Sequence, residues 1–140
     1  MSDDKNPKSQ NEGHVLGIGG VFVRSADTKA LIAWYQRVLG FGYDGYGCNF
    51  SVKDADTKDK DFQVWSPFKA DTEYFGDKNK QFMINFRVKD LDALLEKIKA
   101  EGVELAGGPE THDEGKFAWI IDPEGTKLEL WESPDARSNL

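Results

Sequence analysis

The sequence predicts an α+β fold built from two βαβββ modules. Three features carry that expectation. Two amphipathic segments each follow a strand rich in Val, Ile and Phe, begin after an aspartate and stop at a glycine. The block Val21-Phe22-Val23-Arg24, with Asp27 close behind, recurs 63 positions on as Ile84-Asn85-Phe86-Arg87 with Asp90. Each half also closes on an apolar alternation ending in tryptophan: Phe62-Gln63-Val64-Trp65 and, 66 positions on, Leu128-Glu129-Leu130-Trp131. One such unit leaves a sheet face bare, so two must pair to bury it or to enclose a cavity.

Residues 15–24 read as the first strand. Ser25-Ala26-Asp27 supplies a cap, and Leu31, Trp34, Tyr35 and Val38 recur at helical spacing through residues 28–39, with Trp34 on the core face. Gly40 ends that helix. Residues 41–46 and 48–53 read as short strands, 54–61 as an exposed polar loop, 62–65 as a strand and 66–80 as a connection. In the second half a strand at 81–88 leads to a helix at 91–101, with Leu91, Leu94, Leu95 and Ile98 on one face. A short strand at 103–106, a loop at 107–115 and a hairpin of 116–121 with 127–132 follow, turning at Asp122-Pro123-Glu124-Gly125. The expected organisation is a disordered leader at 1–14 and a single domain at 15–133, followed by a loose tail at 134–140. The domain divides into module one at 15–66, a linker at 67–80 and module two at 81–133.

The chain of 140 residues carries 18 basic and 25 acidic side chains, a net charge of −7. That field repels phosphate backbones and anionic membranes, so neither nucleic acid nor membrane is an expected partner. No apolar run is long enough to span a bilayer, and residues 1–13 lack the apolar centre of a signal peptide. Cys48 is the single cysteine, which excludes an intrachain disulfide and fits a cytoplasmic setting.

Three stretches carry a resemblance to a known family. These are Trp34-Tyr35-Gln36-Arg37-Val38-Leu39-Gly40-Phe41, then Ile84-Asn85-Phe86-Arg87-Val88-Lys89-Asp90, then Phe117 through Asp122-Pro123-Glu124-Gly125 to Glu132. Over about residues 16–132 the chain resembles the vicinal oxygen chelate superfamily of glyoxalases, bleomycin-resistance proteins and extradiol dioxygenases. The resemblance implies a cupped mixed sheet and a homodimer. In many members it also implies a divalent metal held from the first and last strand of each module. Carried over, those positions are Gly20, Gln63, Met83 and Glu129. Glycine offers no ligand and a thioether suits hard divalent ions poorly. No tightly held metal cofactor is therefore expected; a divalent metal, if held, would draw on Glu129, Gln63 and His112.

Strand alternation then assigns the faces. With Glu129 inward, Lys127 and Trp131 share its face, and Trp119 and Phe117 lie opposite on the hairpin. Gly20, Phe22, Arg24, Met83, Asn85 and Arg87 are expected on the same concave side, with Gln63 and Trp65 joining them. The result is an aromatic-walled cup centred on Glu129, a carboxylate that could serve as a general base or pair with Arg24, Arg87 or Lys127.

Three functions compete. The first is a small-molecule binding protein or metal-independent enzyme, with Glu129 as its catalytic group and Phe22, Arg24, Gln63, Trp65, Met83, Asn85, Arg87, Phe117 and Trp119 around the ligand. The second is a metal-dependent glyoxalase-like lyase or dioxygenase. The third is an antibiotic-sequestering protein whose acidity draws a cation.

Overall fold

The computed structural model describes residues 13–51 and 62–134. Residues 1–12 of the expected leader, the 54–61 loop and residues 135–140 of the tail lie outside them; His14 is already sheet. The elements run β1 (His14–Ser25), α1 (Thr28–Leu39), β2 (Cys48–Ser51), β3 (Phe62–Lys69), β4 (Phe82–Lys89), α2 (Leu91–Ala100), β5 (Gly107–His112), β6 (Gly115–Ile121) and β7 (Lys127–Glu132). The strands form one mixed sheet in the order β2-β3-β1-β4-β7-β6-β5. Each module contributes one parallel pair, β1 with β3 and β4 with β7, because a helix intervenes between the partners. The modules join edge to edge where β1 and β4 run antiparallel.

The helices form where the caps place them. Asp27 accepts from Ala30 N at 3.0 Å, and Gly40 ends α1 in the left-handed conformation at φ 73°. Asp90 accepts from Ala93 N at 3.1 Å. Glu132 adds a second anchor by accepting from Leu91 N at 2.6 Å, which ties the end of β7 to the start of α2. Against α2 the sheet packs Val88, Ala118 and Leu130, with Leu91 and Leu94 facing them from the helix. Against α1 it presents Trp65, whose ring lies 4.1 Å from that of Tyr35 and 5.7 Å from that of Phe41. Trp34, expected in the core, is 44% exposed, because the helix turns Tyr35 toward the sheet instead.

Three elements differ from the sequence expectation. Residues 41–46 form no strand: Asp44 Oδ1 accepts from Tyr46 N and Gly47 N at 2.9 and 3.0 Å and closes a turn. Residues 103–106 form none either, and the strand lies at Gly107–His112, in the expected loop. Among the described strands it lies at the edge and pairs only with β6, so a polar Gly/Pro sequence suffices and leaves no alternation to read. β3 continues to Lys69, four residues past its expected end.

β1 carries glycine at 17, 19 and 20, and a register shift between Ile18 and Gly20. A Cβ on Gly19 would stand 2.0 Å from Asn85 Oδ1 and 3.0 Å from Arg87 Cγ. The strand is bare there so that two buried polar side chains of β4 can lie across it. Gly19→Ala is expected to destabilise the protein by about 1–3 kcal/mol through overpacking, read as a lower denaturant midpoint. A midpoint equal to wild type would contradict this packing.

Candidate functional site

The register sets one row of residues straight across the concave face: Val64, Gly20, Asn85, Glu129, Trp119 and Gly107, on β3, β1, β4, β7, β6 and β5. The adjacent row holds Gly17, Arg87, Trp131, Phe117 and Glu110. Positions 17, 20 and 107 of these rows are glycines, so the large side chains gather in the middle of module two.

Glu129 is the centre of that gathering and is 5% exposed. Asn85 Nδ2 donates to its Oε1 at 2.6 Å, and Trp119 Nε1 to its Oε2 at 2.9 Å. The Tyr74 hydroxyl also donates to Oε2, while accepting from Trp119 Nε1 at 3.1 Å. The buried carboxylate is thus met by three neutral donors from three parts of the chain. Asn85 Oδ1, the amide's other end, has no hydrogen-bond partner among the described residues and rests against Gly19.

A cavity of about 420 Å³ opens over this centre. Tyr74, Trp119, Lys127 and Glu129 form its inner part, and Glu110, His112, Glu114 and Phe117 its rim. The rings of Trp119, Phe117 and Trp131 run nearly parallel, with centroids 6.3 and 6.4 Å apart in sequence. Trp131 anchors the end by donating to the Glu114 carbonyl at 2.8 Å. Lys127 Nζ donates to the Tyr74 carbonyl at 2.8 Å and lies 4.8 Å from the Tyr74 ring centroid. Burial pushes the Lys127 ammonium down from its ordinary value, and the charge of Glu129 works the other way. At the rim His112 Nε2 sits 3.0 Å from Glu110 Oε1.

The expected ligand residues separate into two groups. Asn85, Arg87, Phe117 and Trp119 lie on the concave face with Glu129. Phe22 and Met83 lie there too, but they are sealed under Phe75 with Val64, Phe68 and Tyr74, away from the cavity. Arg24 points to neither ligand nor rim. Its guanidinium donates to the carbonyls of Lys80, Ala70, Thr72 and Asp77 at 2.7, 3.1, 2.6 and 3.3 Å, and so holds the linker in place.

Gln63 and Trp65 are on the wrong face for the cup. Trp65 packs on α1, and Gln63 donates to the Ile18 carbonyl at 3.0 Å. The pairs Phe22–Ser66 and Asn85–Glu129 are equivalent, so the parallel strand pairs of the two modules are 63 positions apart and Ser66 is the repeat partner of Glu129. The tryptophan match expects an offset of 66 for the last strand, three positions more than the strand pairing has, and an odd slip exchanges faces. Tyr74 escaped the sequence reading because a single aromatic in an irregular linker carries no periodic signal.

The residues do not fit the metal that the resemblance implies. Gly20 has no side chain, Met83 is buried among rings, and Ser66 donates to the Tyr46 carbonyl at 3.2 Å. Both oxygens of Glu129 are taken by N–H and O–H donors, so neither is open for the direct coordination bonds that a metal ion requires. Gln63 cannot join it, and among the described residues no group of three His, Cys, Asp or Glu converges.

Burial, and then the charge and hydrogen bond of Glu129, push the Tyr74 hydroxyl well above the ordinary phenol value of 10.0. A raised folded-state value means that the unfolded chain loses this proton first. The stabilisation is complete below pH 10.0 and drains away as pH climbs beyond it. Stability above that pH is expected to fall more steeply in wild type than in Tyr74→Phe, measured by denaturant titration. Parallel profiles would contradict the assignment.

Comparison with known proteins agrees with this architecture. The sequence profile of the Glyoxalase/Bleomycin resistance protein/Dioxygenase superfamily matches residues 13–130. Comparison with curated proteins gives no match. Among solved structures, methylmalonyl-CoA epimerase from Mycobacterium tuberculosis superposes with a TM-score of 0.60 at 18% identity, covering 90% of this chain and 93% of its own. A Streptomyces coelicolor methylmalonyl-CoA epimerase variant in complex with 2-nitronate-propionyl-CoA gives 0.59 at 18% identity, covering 86% and 99%. The Mn(II)-bound glyoxalase from Novosphingobium aromaticivorans gives 0.57 at 21% identity over 86% of this chain, which spans 40% of that one. At such identities these likenesses speak for the fold. With its sheet order, its paired modules and a profile match over most of its length, the chain belongs to the Glyoxalase/Bleomycin resistance protein/Dioxygenase superfamily.

Proposed function

We propose that this protein binds a small, partly aromatic molecule carrying a cationic group, in the cavity over Glu129 and without a protein-held metal. The observation that carries this reading is a buried carboxylate on the inner wall of a 420 Å³ cavity lined by rings. Pockets of this size with a few convergent polar groups suit small ligands. Trp119, Phe117 and Tyr74 offer aromatic surface, while Glu110, Glu114 and Glu129 outnumber Lys127, which is already committed to the Tyr74 carbonyl. Rings and carboxylates together favour an ammonium over a carboxylate. Sequestration of such a ligand is the simplest outcome. Catalysis by Glu129 as a base would require Tyr74 and Trp119 to release its Oε2 first.

The convex face supports a homodimer within the same reading. Between the helices the sheet leaves Val15, Ile18, Val21 and Phe82 exposed, an apolar strip on adjoining β1 and β4. A cytoplasmic setting is part of it as well: Cys48 is a buried free thiol.

Benzylamine, benzyl alcohol and benzoate test the charge preference by thermal shift. At about 100 times Kd a ligand adds roughly 2.7 kcal/mol, which for a chain of this size raises Tm by roughly 10 °C. Benzylamine is expected to give the largest shift, and Glu129→Gln to abolish its advantage over the alcohol. Equal shifts for all three compounds, or binding that appears only after a divalent ion is added, would sink the proposal.

A further inference from the structure

We propose that Tyr74 is a specificity-determining partition that closes the cavity on its module-one side and so sets the size of the aromatic group the ligand can carry. The inference rests on the ligand reading above and names the residue that sets ligand size. Tyr74 comes from the linker, not from the sheet, yet it stands in the middle of the concave face. One face of its ring stacks on Phe68, with centroids 5.7 Å apart and planes within 5°. Toward module two it meets Trp119 edge-on at 6.2 Å and 78°. Its hydroxyl bridges Trp119 and Glu129. The cavity therefore ends at Tyr74. Behind it lie Phe22, Phe68, Phe75 and Met83, a wholly apolar continuation of the same face.

The partition is held from both sides. Lys127 of β7 grips the Tyr74 carbonyl, and Arg24 of β1 grips four carbonyls between 70 and 80. Moving the ring aside means breaking these bonds together, so it works as a wall and not as a swinging lid. Phe75 beside it, 1% exposed, seals the core. Tyr74 is less buried and turns its polar end to the cavity, which core filling alone does not require. Shortening Tyr74 lengthens the cavity by about the volume of its own ring, up to the apolar wall of Phe68 and Phe75.

Isothermal titration with benzylamine, naphthylmethylamine and anthracenylmethylamine, and with the matching alcohols, reads this directly in wild type, Tyr74→Phe, Tyr74→Leu and Tyr74→Ala. Wild type and Tyr74→Phe are expected to rank the series alike. Tyr74→Leu and Tyr74→Ala are expected to shift the preference toward the two-ring member by about tenfold or more, the scale on which a fitted apolar group is discriminated. Circular dichroism checks folding, and the leucine variant decides the matter if alanine unfolds. An unchanged size order in a folded leucine variant would overturn the partition while leaving the ligand reading intact. A size shift among the alcohols without amine binding would keep the partition and remove the cationic ligand. Absence of binding by either series to every variant would overturn both.

Discussion

A carboxylate buried at the centre of a sheet constrains everything around it. Removing Glu129 from water costs several kcal/mol unless hydrogen bonds replace the lost solvation. The sheet alone supplies two donors, Asn85 from β4 and Trp119 from β6. The third has to come from outside the sheet, and the linker provides it through Tyr74. Bringing the linker into the cup requires its own polar backbone to be satisfied, which is the work of Arg24 and Lys127. Phe75 follows Tyr74 inward and fills the module-one half with Phe22 and Met83. The remaining cavity lies in module two because that is where space is left.

The same chain of cause explains what could be read in advance. Helices at 28–39 and 91–100 announce themselves by caps and by apolar residues at helical spacing, and both signals are local. The hairpin around Asp122 is equally local. Alternation along β7, β6 and β4 sets Glu129, Trp119, Phe117 and Asn85 on one face, since each of those strands holds its register without interruption. Where the signal depends on distant partners, the reading fails. For β3 the tryptophan match sets an offset of 66, whereas the strand pairing sets 63, and the odd difference exchanges faces. Trp34 and Tyr35 are neighbours on α1 and both aromatic, and the packing of Trp65 decides between them. Tyr74 and Phe75 sit in a segment with no period at all, and only tertiary structure reveals that they occupy the cup. β5 is hidden for a different reason: an edge strand is defined by its backbone, and its polar side chains mimic a loop.

The glycines of β1 belong to the same logic. In relatives that hold a metal, the resemblance assigns a ligand to that strand. Here Gly20 removes it, and Gly17 and Gly19 clear the ground for Arg87 and Asn85. The strand offers no coordinating side chain at that position and leaves room for polar side chains from β4. Membership in the superfamily does not by itself fix the chemistry.

The most direct measurement of the central hydrogen-bond cluster is the indole N–H spectrum in heteronuclear NMR, with exchange into D2O. Four tryptophans give four signals. Trp119, bonded to Glu129 and screened from solvent, is expected to exchange far more slowly than the exposed Trp34. Its resonance is expected to move on Glu129→Gln while that of Trp34 stays put. A Trp119 indole that exchanges as fast as that of Trp34, or that ignores the loss of the carboxylate, would show that the cluster does not exist in solution.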